Sequence, residues 1–337
     1  MNWSNNVVMI IFLCLLAVLF WLIHQDNRIK NGIYRFNALA TLPEESFSVM
    51  TYNLGFACED QKELSFEKET CLKNLTSICH TIQKYKPSIL AVQEIDIHSK
   101  RSGFIDQVQY IQKNCGYSYV AVAITWNKKW VPYPFKLNPK YHWGKILAGQ
   151  AVFSKYPLIK QDITVFSKPK SNHALYNWFY LNRIAQSVVI QLENSKHITL
   201  INTHLEAFDK TSRQNQSHLL STQLKTSLNH PLILCGDLNA IYGPIHRSFR
   251  FEDEPKVDYK NDSTLNHFIK LPCFKEVFLE SRIMDKNPCF TYPSKKPNRQ
   301  LDYMFYTSAY LELQEAEVKA NAKGSDHLPV VSKFKLT

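Results

Sequence analysis

The stretch Leu232-Ile-Leu-Cys-Gly-Asp-Leu-Asn239 runs from four apolar side chains straight into a glycine, a carboxylate and a carboxamide. A short apolar run closed by turn-forming residues predicts a strand buried on both faces that ends at the rim of a sheet. Gly236 suits a close backbone approach at such a corner. The single residue between Asp237 and Asn239 lets both side chains face one cavity while the chain stays extended. Taken alone, the stretch fits an Asp-x-Asn turn after a core strand equally well. What the other strand ends carry decides between turn and site.

Working outward, Phe47–Asn53 alternates as a strand and stops at Leu54-Gly55. From Ser65, Leu72, Leu75, Ile78, Cys79 and Ile82 recur at helical steps until Pro87. The strand Ser88–Glu94 follows and ends in Gln93 and Glu94. A helix around 103–114 and a strand 117–125 continue the alternation. The basic, proline-punctuated stretch Trp126–Lys145 shows no period and reads as a long loop over one rim. Strands are expected at 149–154, 159–166, 184–192 and 197–204, the last closing on Asn202 and His204. A polar helix over 211–228 then leads into the opening stretch. Two further strands, 301–306 and 328–334, complete the pattern, and Asp326-His327 stands just before the second. Hairpins mixed with helical crossovers predict an α/β (α+β) fold: a four-layer sandwich of two packed mixed β-sheets flanked by helices, in one domain over 46–337.

Ahead of that domain come a short tail (1–6), an apolar run (7–23) and a polar linker (24–45). The run Val7–Ile23 reaches roughly 25 Å as a helix, enough for one membrane span. It lacks the preceding Lys or Arg and the small-x-small site of a cleaved signal, so a retained transmembrane helix is expected. Arg28, Lys30 and Arg35 follow the run, which places a single-pass protein with its domain in the cytoplasm. The cysteines form no Cys-x-x-Cys pair, as suits thiols in a reducing compartment.

The chain carries 40 Lys and Arg against 29 Asp and Glu. The excess is concentrated: residues 107–192 hold eleven basic residues against Asp162 alone, together with Trp126, Trp130, Trp143 and Trp178. Cations among aromatics suit a phosphate-bearing partner, either a nucleic acid or an anionic membrane surface. A solvated basic face over core aromatics is the plain alternative.

Collected in order, the strand ends supply Asn53, Glu94, His204, Asp237, Asn239, Asp302, Asp326 and His327. Each alone is an ordinary turn or surface residue. Together they form an oxygen-rich set suited to a hard cation such as Mg²⁺. Thr51-Tyr-Asn53, Gln93-Glu94, Gly149–Pro157, Asn202-Thr-His204, Gly236-Asp-Leu-Asn239, Leu301-Asp302 and Ser325-Asp326-His327 resemble, in order, the motif set of the endonuclease/exonuclease/phosphatase superfamily, the deoxyribonuclease I-like fold. The likeness covers about 47–336. Leu238, where Phe is usual, is the one small departure.

The resemblance implies Mg²⁺, with Mn²⁺ as the alternative, held by Glu94 with Asn53 and Asp326 close by. It implies that Asp237 orients or deprotonates an attacking water and that Asn239 holds a phosphate oxygen. His327, its tautomer fixed by Asp302, and His204 would flank the phosphate as cationic imidazoles. Arg183 is either a further phosphate clamp or a plain surface arginine. Arg213 either braces the wall of the site or lies on a solvated helix face, and Arg299 either reaches a phosphate or caps a loop. The implied activity is hydrolysis of a phosphate ester by a monomer: of a lipid head group near a membrane, or of DNA or RNA. A non-catalytic membrane-anchored scaffold is the alternative of another class.

Overall fold

The computed structural model describes residues 3–23, 28–36, 46–57, 68–192, 196–243, 248–255, 257–279 and 289–337, with side chains of the first stretch described over 7–18. Helix α1 (Trp3–Ile23) precedes β1 (Gly32–Arg35), β2 (Ser46–Asn53), α2 (Lys68–Tyr85) and β3 (Ile89–Asp96). Next come α3 (Gln107–Cys115), β4 (Tyr119–Val131), β5 (Gly144–Ser154), β6 (Leu158–Val165) and α4 (Ala174–Phe179). Then β7 (Ile184–Gln191), β8 (His197–His204), α5 (Lys210–Leu224) and β9 (Leu232–Asp237) follow. The chain closes with α6 (Asn266–Ile269), β10 (Phe274–Glu276), β11 (Asp302–Thr307), β12 (Leu311–Val318) and β13 (Val330–Leu336).

The strands form two mixed sheets, ordered β1-β4-β5-β3-β2-β13-β12 and β10-β11-β9-β8-β7-β6. Each contains one parallel pair, β2 with β3 and β8 with β9. A parallel neighbour needs a long crossover, which α2 supplies in the first sheet and α5 in the second. The two crossovers make the two halves alike, and they bring the carboxyl ends of β2, β3, β8 and β9 to a common edge.

Alternation along β9 explains its unbroken apolar reading. Ile233 and Cys235 point between the sheets and join Val49, Ile89 and Met304 there. Leu232 and Leu234 point the other way, to α5 and α6, with Leu220, Leu224 and Phe268. On the outer face of the first sheet, Leu75, Ile78 and Ile82 of α2 cover Leu90 and Val92. The layers are therefore helix, sheet, sheet, helix, as expected.

The sequence reading lacks α4, α6, β10 and β12, and three further regions depart from it. Trp126–Lys145 is not one long loop, because β4 runs through Val131 and pairs with β5 as far as Val131↔Gly144. Register shifts at Ile124/Trp126 and Lys128/Val131 break the two-residue period that would have marked it as strand. Residues 32–35, within the expected linker, pair with β4 as a short edge strand, while 24–27 and 37–45 lie outside the described residues. The expected anchor lies in α1, and among the described residues no helix is long and apolar enough to cross a membrane. Its described side chains, 7–18, cover only part of the 7–23 run, and those that are large and apolar are exposed.

Candidate active site

Strand register assembles the site. In the second sheet His204 stands opposite Asp237 on β9, and Asp237 stands opposite Asp302 on β11, so three functional groups form one row. In the first sheet Asn53 pairs with Gln93, one residue before Glu94. At the end of β3 two residues face a single residue of β5 between Val92↔Ala151 and Ile95↔Gly149. That bulge, with Glu94 at φ 51°, turns the carboxylate away from the sheet's alternation and toward the cleft. Gly236 adopts φ 140°, where a Cβ would overlap the Thr203 carbonyl oxygen, so only glycine lets β9 lie this close to β8. Gly55, at φ 51°, lies so close to Asp326 that a Cβ would fall 2.5 Å from its Oδ1.

Asn53 Nδ2 donates to Asp237 Oδ2 at 2.9 Å and lies 3.4 Å from His327 Nε2. Its Oδ1 accepts from the Gly55 amide at 3.0 Å. His327 Nδ1 stands 2.8 Å from Asp302 Oδ2, and its Nε2 3.8 Å from Asp237 Oδ2. His204 bridges two carboxylates, with Nε2 3.4 Å from Asp237 and Nδ1 3.8 Å from Glu94. The Asn239 amide donates to Asp237 Oδ1, and its side-chain amide donates to the Leu205 carbonyl at 3.0 Å. All eight strand-end residues are thus brought to one place.

Burial disfavours charge at each of these groups, and their neighbours then separate them. For His327 burial works against the proton, but Asp302, Asp237 and Asp326 outweigh it and hold the imidazole charged well above its ordinary range. His204 is pushed well below its ordinary value by burial, with Arg183 and His327 adding to the effect, so it is neutral. Burial, with Asp302 adding and His327 opposing, raises Asp237 to about 7. Glu94 is raised by burial and then by the like charge of Asp326.

Two donor clusters could take a metal ion. Asp237, Asp302 and His327 place one ligand atom each within 4.8 Å of one another, all buried. That cluster is closed by the His327–Asp302 hydrogen bond, which an ion would have to break. Glu94 and Asp326 instead repel each other, and the Glu94 side chain is 27% exposed beside a cleft of about 350 Å³. An oxygen-only pair whose like charges repel, beside an opening, fits a hard divalent cation better.

Arg183 is no surface arginine. It is buried, lines the cleft with Glu94 and His204, and lies 3.7 Å from Glu206 through Nε, which has no hydrogen-bond partner among the described residues. Arg299 does not reach solvent either. It is buried against Asp253 and Glu254, with its guanidinium 4.5 Å from the centre of the Tyr292 ring, which in turn packs 4.7 Å from His327. Arg213 pairs with Asp262 and donates to the carbonyls of Glu206 and Ala207, and Gln216 accepts from the Glu206 amide. Both therefore hold the wall that follows His204.

Several groups escaped the sequence reading as site residues. Gln93 donates to Asn202 across the gap between the sheets, Asn202 donates to the carbonyls of Val92 and Ala151, and Gln150 donates to the Asn202 carbonyl. This buried tie locks one sheet's register to the other's beneath the site. Ser325 donates to the Asn53 carbonyl and accepts from the His327 amide. Glu206 accepts from the Tyr180 hydroxyl. Its place two residues after His204, on the same side of an extended chain, was the available signal.

The sequence pattern of the Endonuclease/Exonuclease/phosphatase family matches residues 50–327, from β2 through the last of these residues. The chain belongs to that family. Endonuclease/exonuclease/phosphatase folds are also what it superposes on. The human Nocturnin catalytic domain with bound sulfate is similar at 20% identity and a TM-score of 0.60, covering 91% of this chain and 98% of that one. The mannosyl-6-phosphatase Bt3783 of Bacteroides thetaiotaomicron is similar at 14% identity and a TM-score of 0.58, covering 86% and 99%. ANGEL2, a 2′,3′-cyclic phosphatase solved with adenosine-2′,3′-vanadate, is similar at 17% identity and a TM-score of 0.57, covering 91% and 99%. A search of curated protein sequences finds no match.

Proposed function

We propose that the protein is a divalent-metal-dependent phosphoesterase acting on a phosphodiester at a membrane surface. One observation carries the reading: an imidazole held charged by Asp302 stands 3.8 Å from a carboxylate raised to about 7. An acid and a base with separated proton affinities in one cleft suit water attack at phosphorus.

In this reading Asp237 takes the proton of the attacking water, which its raised affinity suits near neutral pH. Asn53 Nδ2 fixes the carboxylate oxygen that receives it. His327, kept charged and oriented by Asp302, faces the charge that builds on the phosphoryl oxygens. His204 takes part as a neutral donor rather than as the cation expected from sequence. Asn239 keeps one amide hydrogen for a phosphate oxygen after bonding Leu205. Arg183, whose Nε makes no hydrogen bond among the described residues, clamps another. Asn53, Glu94 and Asp326 would hold Mg²⁺ or Mn²⁺, which supplies neutralisation of charge on the phosphate.

The apolar length of 7–23 and the basic aromatic rim support a lipid-borne substrate, with the protein held at the membrane by α1 and its domain on the cytoplasmic side. Stackable rings among the same cations support the second reading, a nuclease. Hydrolysis by the full chain, with Asp237→Ala and His327→Ala beside it, is to be compared on plasmid DNA, mixed phospholipid vesicles and inositol phosphates with Mg²⁺. Turnover of vesicle phospholipid, lost in both variants, is the expected result. Turnover of DNA alone would replace the lipid reading. Folded protein inert on every phosphate ester would leave the scaffold.

A further inference from the structure

The apolar side chains left in solvent on the domain include a group that is not scattered. Phe135 (71% exposed) and the fully exposed Leu137 come from the tip joining β4 to β5, Leu175 (70%) from α4, and Phe208 (70%) from the turn after β8. Ring contacts join these segments. Phe135 packs 6.4 Å from Tyr176 of α4, and Tyr176 and Phe208 line the same cleft of about 390 Å³ beside Glu206. Isolated exposed apolar residues occur on any soluble surface, but a set drawn from three neighbouring segments marks an interface.

The cations stand in the same place. Lys136 lies 5.1 Å from the centre of the Tyr141 ring and Lys128 4.8 Å from that of Trp178. Asp209, an acidic group on the same cleft, accepts from the Ser212 amide and the Ser171 hydroxyl.

We propose that this face is an interfacial docking surface for an anionic lipid bilayer, with the hairpin tip and α4 entering the head-group region and presenting the cleft to the surface. The inference rests on the reading of the chain as a membrane-directed phosphoesterase and names the contact that reading needs. Charge complementarity selects the occupant, since Lys128, Lys129, Lys136 and Lys140 lie on the strand and hairpin tip that carry this face, and Lys168 and Lys170 on the segment leading into α4. Aromatic rings with polar tips sit well at the depth of lipid head groups. Helix α1, whose apolar side chains over 7–18 are largely exposed, also contacts β4, the strand that carries the hairpin. A nucleic acid would meet the same cations. Yet Leu137 and Leu175, among the most exposed groups of this face, offer no plane for a base to stack on, while acyl chains accept them.

Hydrogen exchange of the full chain, followed peptide by peptide, reads this face separately from α1. Vesicles of phosphatidylcholine mixed with phosphatidylserine are expected to slow exchange over 132–142 and 173–180; phosphatidylcholine alone should do so less, and high salt should reverse the effect. A Leu137→Ser/Leu175→Ser double variant should need at least about tenfold more lipid for the same protection. It should still hydrolyse the water-soluble diester bis(p-nitrophenyl) phosphate as the wild type does. Anionic vesicles that leave both segments unprotected, or protect them equally in the double variant, would overturn the inference. So would protection by an oligonucleotide and not by lipid, or by self-association without vesicles. Wild-type protein inert on the soluble diester would sink the phosphoesterase reading instead, with the exchange result still deciding the docking surface.

Discussion

At the floor of the cleft the functional side chains sit at strand ends and most are held by another side chain, whereas at the rim the hairpin tip and α4 leave aromatic and basic groups in solvent, joined mainly by ring contacts. The floor takes its geometry from register: His204, Asp237 and Asp302 cannot move apart without unpairing strands, and Asn53, fixed at the end of β2, is tied to them across the sheets by its hydrogen bond to Asp237. The rim takes its geometry from a hairpin with two register shifts and from a helix of six residues. The proposed chemistry, which tolerates little displacement, falls where the backbone is locked, and the proposed contact with a lipid surface where it is not.

The sharpest break in that contrast is loss of the floor's proposed base. Asp237→Ala should lower turnover by roughly 10²–10³-fold, or about 3–4 kcal/mol of barrier. Its melting temperature should hold or rise, because a buried carboxylate raised by burial and Asp302 has been removed. Parallel kinetics and thermal unfolding separate the two effects, and a variant both inactive and unfolded would count against a catalytic role.

Next comes the polar tie beneath the site. Asn202→Ala leaves the Gln93 amide with Thr51 as its one remaining acceptor among the described residues and removes two donations to β3 and β5 carbonyls. A cost on the order of 2–4 kcal/mol is expected in denaturant unfolding, since buried polar groups lose partners they cannot replace. A change below about 0.5 kcal/mol would show that the sheets keep register without it.

The raised Asp237 gives the floor a pH signature in metal-free protein. Its folded pKa of about 7 lies above the unfolded value, so its contribution to stability is fully present below the unfolded pKa and is lost as pH rises toward 7. His204 and His327 titrate too, so the comparison is with Asp237→Asn in a chelator. The difference in unfolding free energy should shift in the variant's favour by up to about 1.4 kcal/mol per pH unit across that window. A constant difference from acid to neutral pH would mean that Asp237 is an ordinary carboxylate.

The smallest effect belongs to the rim. Leu137→Ser should change unfolding free energy by less than about 0.5 kcal/mol, as expected for a side chain that touches no core. A larger loss would place the tip in the fold rather than on its surface.

The same contrast separates what the sequence made legible. Leu232–Cys235 reads as a doubly buried strand because both its faces are covered, and this alone put Asp237 at a sheet edge. All eight strand-end residues could be collected in the same way. The bulge that aims Glu94 left no mark, since one extra residue in a short apolar strand changes no pattern. The outer half of β4 was hidden for a related reason: Asn127, Lys128 and Lys129 interrupt the apolar residues between two register shifts, so polarity and broken period together resemble a loop. Arg299 was undecidable because its charge is compensated by Asp253 and Glu254, more than forty residues earlier. Burial of a charge depends on partners that only the fold brings near.

The most direct test is the Mg²⁺ dependence of bis(p-nitrophenyl) phosphate hydrolysis by the full chain, wild type against Glu94→Gln. A metal held at the open end of the floor should give saturable, chelator-sensitive turnover in the wild type and a requirement for at least about tenfold more Mg²⁺ in the variant. Turnover that persists in chelator, or the same Mg²⁺ dependence in both proteins, would contradict a metal-dependent site built on Glu94.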